Sequence, residues 1–372
     1  MSKSSILKEK EYEVIEFLKE RAYEQQSRYE DSKNKKVSVL MAKEQLFLEK
    51  FEEVVNKAFK SLPKPKLSKS KNKNLKIKRV LNVVISDTHY GSNLNPLEVG
   101  HSYGPVEEAR RTASICKQVA DYKRQYRDET ELNVHLIGDL INGSLHDARD
   151  GAPLAEQVAA AMRILSQALQ YFSINFKKIK VFCATGNHGR QKSRHQQRAI
   201  NEKFDSIETM IFYALKQFST FLPNVDVSIG YSPEYTWESF GAVGYATHGD
   251  TQVNFGYPGK SVNTESISRQ VDKINNARIM KGEKPVSVIM IGHVHVGTMT
   301  HLNGGTVAIT NGCLIPPDAY AKSITITSTK CGQWLFESSP GHMVGDARFM
   351  EVNFETDKDK TLDSIIQPYA GL

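Results

Sequence analysis

Five short apolar runs in this chain each stop at a histidine, an aspartate or an asparagine, and that recurrence constrains the fold more than any other feature. LNVVIS runs into Asp87-Thr88-His89, ELNVHLI into Gly138-Asp139, and KIKVFCAT into Gly186-Asn187-His188. AVGYAT ends at His248-Gly249-Asp250, and VSVIMI at Gly292-His293-Val294-His295. Runs of this length, rich in Val and Ile, predict buried strands. Between them VEEARRTASICKQVADYKRQY, PLAEQVAAAMRILSQALQYF and IETMIFYALKQF predict helices, and GTVAITNG, SITITST and QWLFES predict further strands. Alternation of this kind argues for an α/β fold. Ligands of open α/β sheets sit beyond the carboxyl ends of the strands, so five such ends would converge on one site.

The residue types at those ends belong together. Asp, His and Asn supply the mixed oxygen and nitrogen donors that suit Mn, Fe or Zn. In D-x-H and H-x-H the two polar residues are spaced by two, which on a strand places them on one face. Glycine before Asp139, Asn187 and His293 lets the backbone approach the cluster closely. A turn alone would explain Gly186 and Asn187, since both residue types tolerate positive φ. It would leave His188 without a purpose.

The charge is placed unevenly. Residues 1–80 hold 21 basic against 12 acidic side chains, an excess of nine, while the whole chain carries +7. The body that follows is therefore slightly acidic, and the basic arm suggests attraction to a polyanion, nucleic acid first, or a solvated linker. Residues 1–60 read as two helices of a hairpin, able to pair with a second copy or another protein. Residues 61–79 contain two prolines, eight basic residues and no acid, the composition of a linker. The main domain is expected over 80–354 and a polar, mobile or partner-binding tail over 355–372. No apolar run approaches the roughly 20 residues of a membrane helix. The charged N-terminus does not read as a secretory signal, and Cys116, Cys183, Cys313 and Cys331 show no paired spacing. Reduced thiols and a cytoplasmic location are the expectation, with no zinc site among the cysteines.

Taken in order, D-x-H, G-D, G-N-H, H and G-H-x-H resemble the calcineurin-like metallophosphoesterase superfamily over roughly residues 80–320. GNHGR, HGD and NGCLIPPDAY look most like its bacteriophage-encoded branch, related to SbcD-like DNA repair exonucleases, which would place the protein in a host cytoplasm. The resemblance implies a four-layer α-β-β-α sandwich with two divalent metal ions, manganese first, iron or zinc also accepted. By position Asp87, His89 and His295 would hold the first ion and Asn187, His248 and His293 the second, with Asp139 bridging. His188 would be catalytic, protonating the leaving group or stabilising the charge that builds on phosphorus. The family usually follows this histidine with an acid that orients it. Here Gly189 stands instead, leaving Asp147, Asp150 or Asp250 as candidates, and His146 as either a second active-site histidine or a loop residue.

Arg190, Lys192 and Arg194, with Arg198 beyond, could grip flanking phosphates or line a solvated helix face. The functional expectation is a metal-dependent phosphodiester hydrolase, a DNA nuclease first. The alternatives are a phosphatase or phosphodiesterase acting on small nucleotides or phosphoproteins, and a non-catalytic nucleic-acid-binding scaffold. The complete ligand set argues against the scaffold.

Overall fold

The computed structural model describes residues 78–125, 130–143, 151–190, 206–230, 232–250, 262–318 and 330–368. The expected N-terminal helices, the linker up to residue 77 and the SITITST strand lie outside the described residues. So do His146, Asp147, Asp150, Lys192, Arg194 and Arg198.

Two sheets form the frame. In the first, β1 (Arg79–Ile85), β2 (Thr130–Leu136), β3 (Ile179–Cys183) and β4 (Val225–Ile229) lie parallel and in that spatial order. Beyond β1, β10 (Gly332–Ser338) and β11 (Ala347–Glu351) add antiparallel strands. The second sheet runs β5 (Glu234–Ser239), β6 (Ala242–Thr247), β7 (Val286–Ile291), β9 (Val307–Thr310) and β8 (Thr298–His301).

Register decides where the chemistry goes. Ile85 pairs with Leu136 and Leu136 with Cys183, so β1, β2 and β3 end level with one another. Thr247, Ile291 and Thr310 align in the same way at the ends of β6, β7 and β9. The polar residues that follow all five runs therefore emerge at matched strand ends.

Between the sheets, Val84 and Phe336 of the first meet Trp237, Ala246, Val288, Met290 and Ile309 of the second in one buried cluster. Helix α5 (Thr264–Met280) covers the far side of the second sheet, where Ile267 and Val271 pack on Val286, Ile289 and Ile291. A layer of α2 (Pro105–Arg124), α3 (Leu154–Asn175) and α4 (Ile207–Ser219) packs side by side on the first. The result is the four-layer α-β-β-α sandwich that the motifs imply. Spacing explains the helices: Ala161, Ile164, Leu165, Ala168, Leu169 and Phe172 of α3 recur at three or four residues and are all buried. The one-turn α1 (Pro96–Val99) sits in the loop after β1. Among the described residues no helix is long and apolar enough to cross a membrane, and all four cysteines are buried with no disulfide between them.

The sequence from 355 behaves differently from the expected tail. Through residue 368 it holds α6 (Phe354–Lys358) and a 3₁₀ turn over Lys360–Ser364. Its acids are the reason. Asp357 accepts two bonds from Arg111, at 2.7 and 2.6 Å, and Asp363 accepts two from Arg110, at 2.8 and 3.0 Å. Paired guanidinium–carboxylate forks of this kind fix direction as well as distance.

Candidate metal centre

The polar residues do not share a strand face. They lie just past the strand ends, and Asp87, His89, Asp139, His293 and His295 have φ of 52°, 48°, 50°, 70° and 58°. Only one other non-glycine among the described residues has positive φ, Phe240 in the β5–β6 turn. Left-handed backbone at a bulky residue costs about 1–3 kcal/mol and persists where the surroundings enforce it. Here the enforcement is visible. The amides of Asp87 and His89 bond the carbonyls of Gly138 and Asp139, which continues the β1–β2 pairing through both loops. Gly138 and Gly186 stand in backbone contact; a methyl group on Gly138 would lie 2.5 Å from the Gly186 Cα. A methyl group on Gly186 would instead collide with the Asp139 amide nitrogen, so each position requires glycine.

Three overlapping groups result. Asp87, His89 and His295 bring one ligand atom each within 4.8 Å of one another, as do Asp139, His248 and His293. A third group, His89, Asp139 and His188, links the two. In the first, the Nε2 atoms of His89 and His295 are 3.2 Å apart, and His295 Nε2 is 3.3 Å from Asp87 Oδ1. In the second, His248 Nε2 is 3.0 Å from Asp139 Oδ2 and 3.2 Å from Asn187 Oδ1. Asp87, His89, Asp139, Asn187, His188 and His248 are buried, while His293 and His295 keep partial exposure.

The second group tests whether a cation belongs there. Nδ1 of His248 donates to the Ile137 carbonyl at 2.9 Å. In the neutral ring, Nε2 therefore carries a lone pair, and it points at two oxygens that are also electron-rich. Acceptors facing acceptors need a proton or a metal ion between them, and an imidazole–carboxylate–amide set suits a divalent transition ion. The residues fit.

Electrostatics follow from the same contacts. Burial would discharge His248, but Asp139 outweighs it and raises the ring to about 10. Burial would likewise raise Asp139, yet His248 and His188 hold its carboxyl well below the usual range. His295 moves up, because its bond to Asp87 outweighs burial. His89 moves well down, by burial and by the neighbouring His188 and His295, and His293 falls to about 4, by burial and His248. Each group thus pairs one imidazole held by a carboxylate with one kept neutral.

His188 sits between the groups. Its ring centroid is 4.5 Å from that of His89, its amide donates to Asp139 Oδ1 at 2.8 Å, and its Nδ1 donates to the Asn142 carbonyl at 2.6 Å. That carbonyl is the orienting group the sequence left open; a backbone acceptor carries no signature in residue type. Arg190 commits Nε to the Asn187 carbonyl at 2.8 Å, bracing a ligand loop, so its terminal nitrogens are what it can offer an anion. Sequence reasoning also passed over Glu208. Buried in the first turn of α4, it accepts from the amides of Leu140, at 2.5 Å, and Gly186, at 2.6 Å. Burial first and Asp139 second push its carboxyl up to about 7. The only cue was its place after Ser206, which reads as an ordinary helix cap.

No protein-family model matches the chain, and no match is found among curated proteins. Solved structures do overlap it. A dimetal phosphatase from Danio rerio is 12% identical over 74% of this chain and 99% of its own, with a TM-score of 0.36. A predicted phosphoesterase from Streptococcus pneumoniae is 15% identical over 74% of this chain and 100% of its own, with a TM-score of 0.29. A metallophosphoesterase from Sphaerobacter thermophilus is 10% identical over 76% and 93%, with a TM-score of 0.28. Overlaps this loose carry no assignment; the fold rests on strand order and the site on its own geometry.

Proposed function

We propose that this protein is a metal-dependent phosphoesterase that cleaves phosphodiester bonds, with DNA as substrate. The observation that carries the reading is the second group: a histidine Nε2, a carboxylate and an amide oxygen aimed at one point, a few ångströms from a similar group.

Asp87, His89 and His295 would hold one divalent ion, Asn187, His248 and His293 another, with Asp139 between them. Such a pair supplies Lewis acidity toward phosphoryl oxygens and a water of lowered pKa. The protein supplies the rest. The Asn142 carbonyl holds Nδ1–H of His188, which leaves Nε2 to carry a proton to the departing oxygen. Asp139 anchors the His188 amide, so ligand loop and proton donor keep one geometry. Arg190 is placed by its Nε bond to present its terminal nitrogens to a flanking phosphate.

The DNA assignment rests on the basic arm of residues 1–80. Metal identity is open among manganese, iron and zinc on this donor set. The deciding experiment is hydrolysis of labelled single- and double-stranded DNA beside bis-p-nitrophenyl phosphate and p-nitrophenyl phosphate, with manganese and with excess chelator. DNA cleavage that chelator abolishes supports the reading. Turnover of the monoester alone would make the protein a phosphatase, and full activity in chelator would remove the metals. Deleting residues 1–80 should spare the small diester and weaken DNA binding. It should also flatten the salt dependence of that binding, by about 0.9 log units per log salt for every phosphate the arm neutralises. An unchanged slope would reduce the arm to a tether.

A further inference from the structure

We propose that Glu208 is a positioning residue that clamps the two loops of the second ligand group into one unit. Its Oε1 accepts from Leu140, the residue after Asp139, and its Oε2 from Gly186, the residue before Asn187. One carboxylate thereby fixes the backbone beside both ligands from outside the centre. The two strand-end loops, from β2 and β3, also meet at Gly138 and Gly186 and through the bonds of His188 to Asp139 and Asn142, all of them inside the centre.

The room for this clamp comes from Gly189. A methyl group built there would lie 2.8 Å from Glu208 Cγ and would collide with Ser206 Oγ. A side chain at 189 and the Glu208 carboxylate thus compete for one volume, and the chain gives it to Glu208. The start of α4 is tied to the same place: the Ile207 amide bonds the Gly189 carbonyl at 2.9 Å, and Ser206 caps the helix at the Glu208 amide. Helix α4 therefore delivers the carboxylate in a fixed direction.

A packing role and a clamp role predict different things for Glu208→Gln. Glutamine fills the same volume, yet only one of its two terminal atoms accepts, so one loop amide loses its partner. The consequence for metal rests on the two-ion reading, whereas the clamp itself is readable without metal. The experiment uses the full chain, with amide exchange followed at peptides covering Leu140 and Gly186 and divalent metal content measured alongside.

In Glu208→Gln, exchange at one of these two amides should rise roughly 10–100-fold against an unchanged background, the size expected when a charged bond is removed. Manganese affinity of the second group should fall about 10–100-fold, as for other outer groups behind metal ligands. Gly189→Ala, pushing on Glu208 from the other side, should move both readouts in the same direction by less. Wild-type exchange at both amides in Glu208→Gln, or a rise spread evenly over the protein, would overturn the proposal. If the wild-type protein takes up no metal, the phosphoesterase reading falls while the exchange result still decides the clamp.

Discussion

Two buried glutamates stand behind the two ligand groups, and they differ in how well they are satisfied. Glu208 backs the second group with both oxygens bonded to loop amides. Glu108, in the first turn of α2, backs the first group with one oxygen, which accepts from Gly91 two residues past His89 at 2.7 Å. Among the described residues its other oxygen makes no hydrogen bond; the Ser92 amide lies near enough to favour the charged form, but it donates to the His89 carbonyl at 3.1 Å. Burial pushes Glu108 up to about 8. Both helices deliver an acid to the rear of a loop that carries ligands. On the second side the acid acts as a double acceptor, and on the first it is a single acceptor that burial favours in the neutral form. The first loop has a further support in the Leu314 amide, which donates to the Asp87 carbonyl at 3.0 Å.

The largest effect should come from removing what joins the groups. Asp139→Asn is expected to reduce metal uptake and take turnover to background, well beyond the about 10–100-fold that an outer group costs. His293→Ala should do the same. Metal analysis and turnover on bis-p-nitrophenyl phosphate check both, and retained activity in either variant would break the proposed arrangement.

A smaller and different loss should follow His188→Ala, which belongs to neither pair of carboxylate and imidazole. Both metals should stay bound while turnover falls about 10²–10⁴-fold on substrates with poor leaving groups. With p-nitrophenol leaving, part of the loss should disappear. A variant that also loses metal would make His188 a ligand rather than a proton donor.

The sequence showed the centre of each sheet and hid its rim. All five strands that end at the site, together with β9 and β10, coincide with apolar runs, because strands covered on both faces must be apolar throughout. The strands with no clear run, β4, β5, β8 and β11, are the four edges of the two sheets. VDVSI and TMTH are half exposed, so their composition is mixed. Helix α5 was equally faint, with only Ile267 and Val271 buried. At the site, the ligand types could be read because histidine and aspartate after an apolar run are rare enough to count. Their left-handed backbone, the Asn142 carbonyl and the Glu208 clamp could not, since each depends on loops brought together from distant parts of the chain.

The smallest expected effect is the one that separates the two glutamates most cleanly. Glu108→Gln keeps an acceptor for the Gly91 amide and removes a carboxyl that burial already disfavours as an anion. Metal content and turnover should therefore stay near wild type, in contrast to Glu208→Gln. Stability should tell the rest. Because the folded-state value near 8 lies above the ordinary 4.5, wild-type Glu108 contributes stability that is complete below about pH 4.5 and is lost as pH rises toward 8. Glutamine has no such proton to lose. The melting temperature of the variant, relative to wild type, should thus climb between pH 4.5 and 8, by an amount corresponding to several kcal/mol, about 1.4 for each pH unit between the two values. Thermal melts across that range, on protein of matched metal content, measure it directly. Parallel curves would mean that Glu108 meets a partner for its second oxygen, and the two glutamates would then be equivalent clamps.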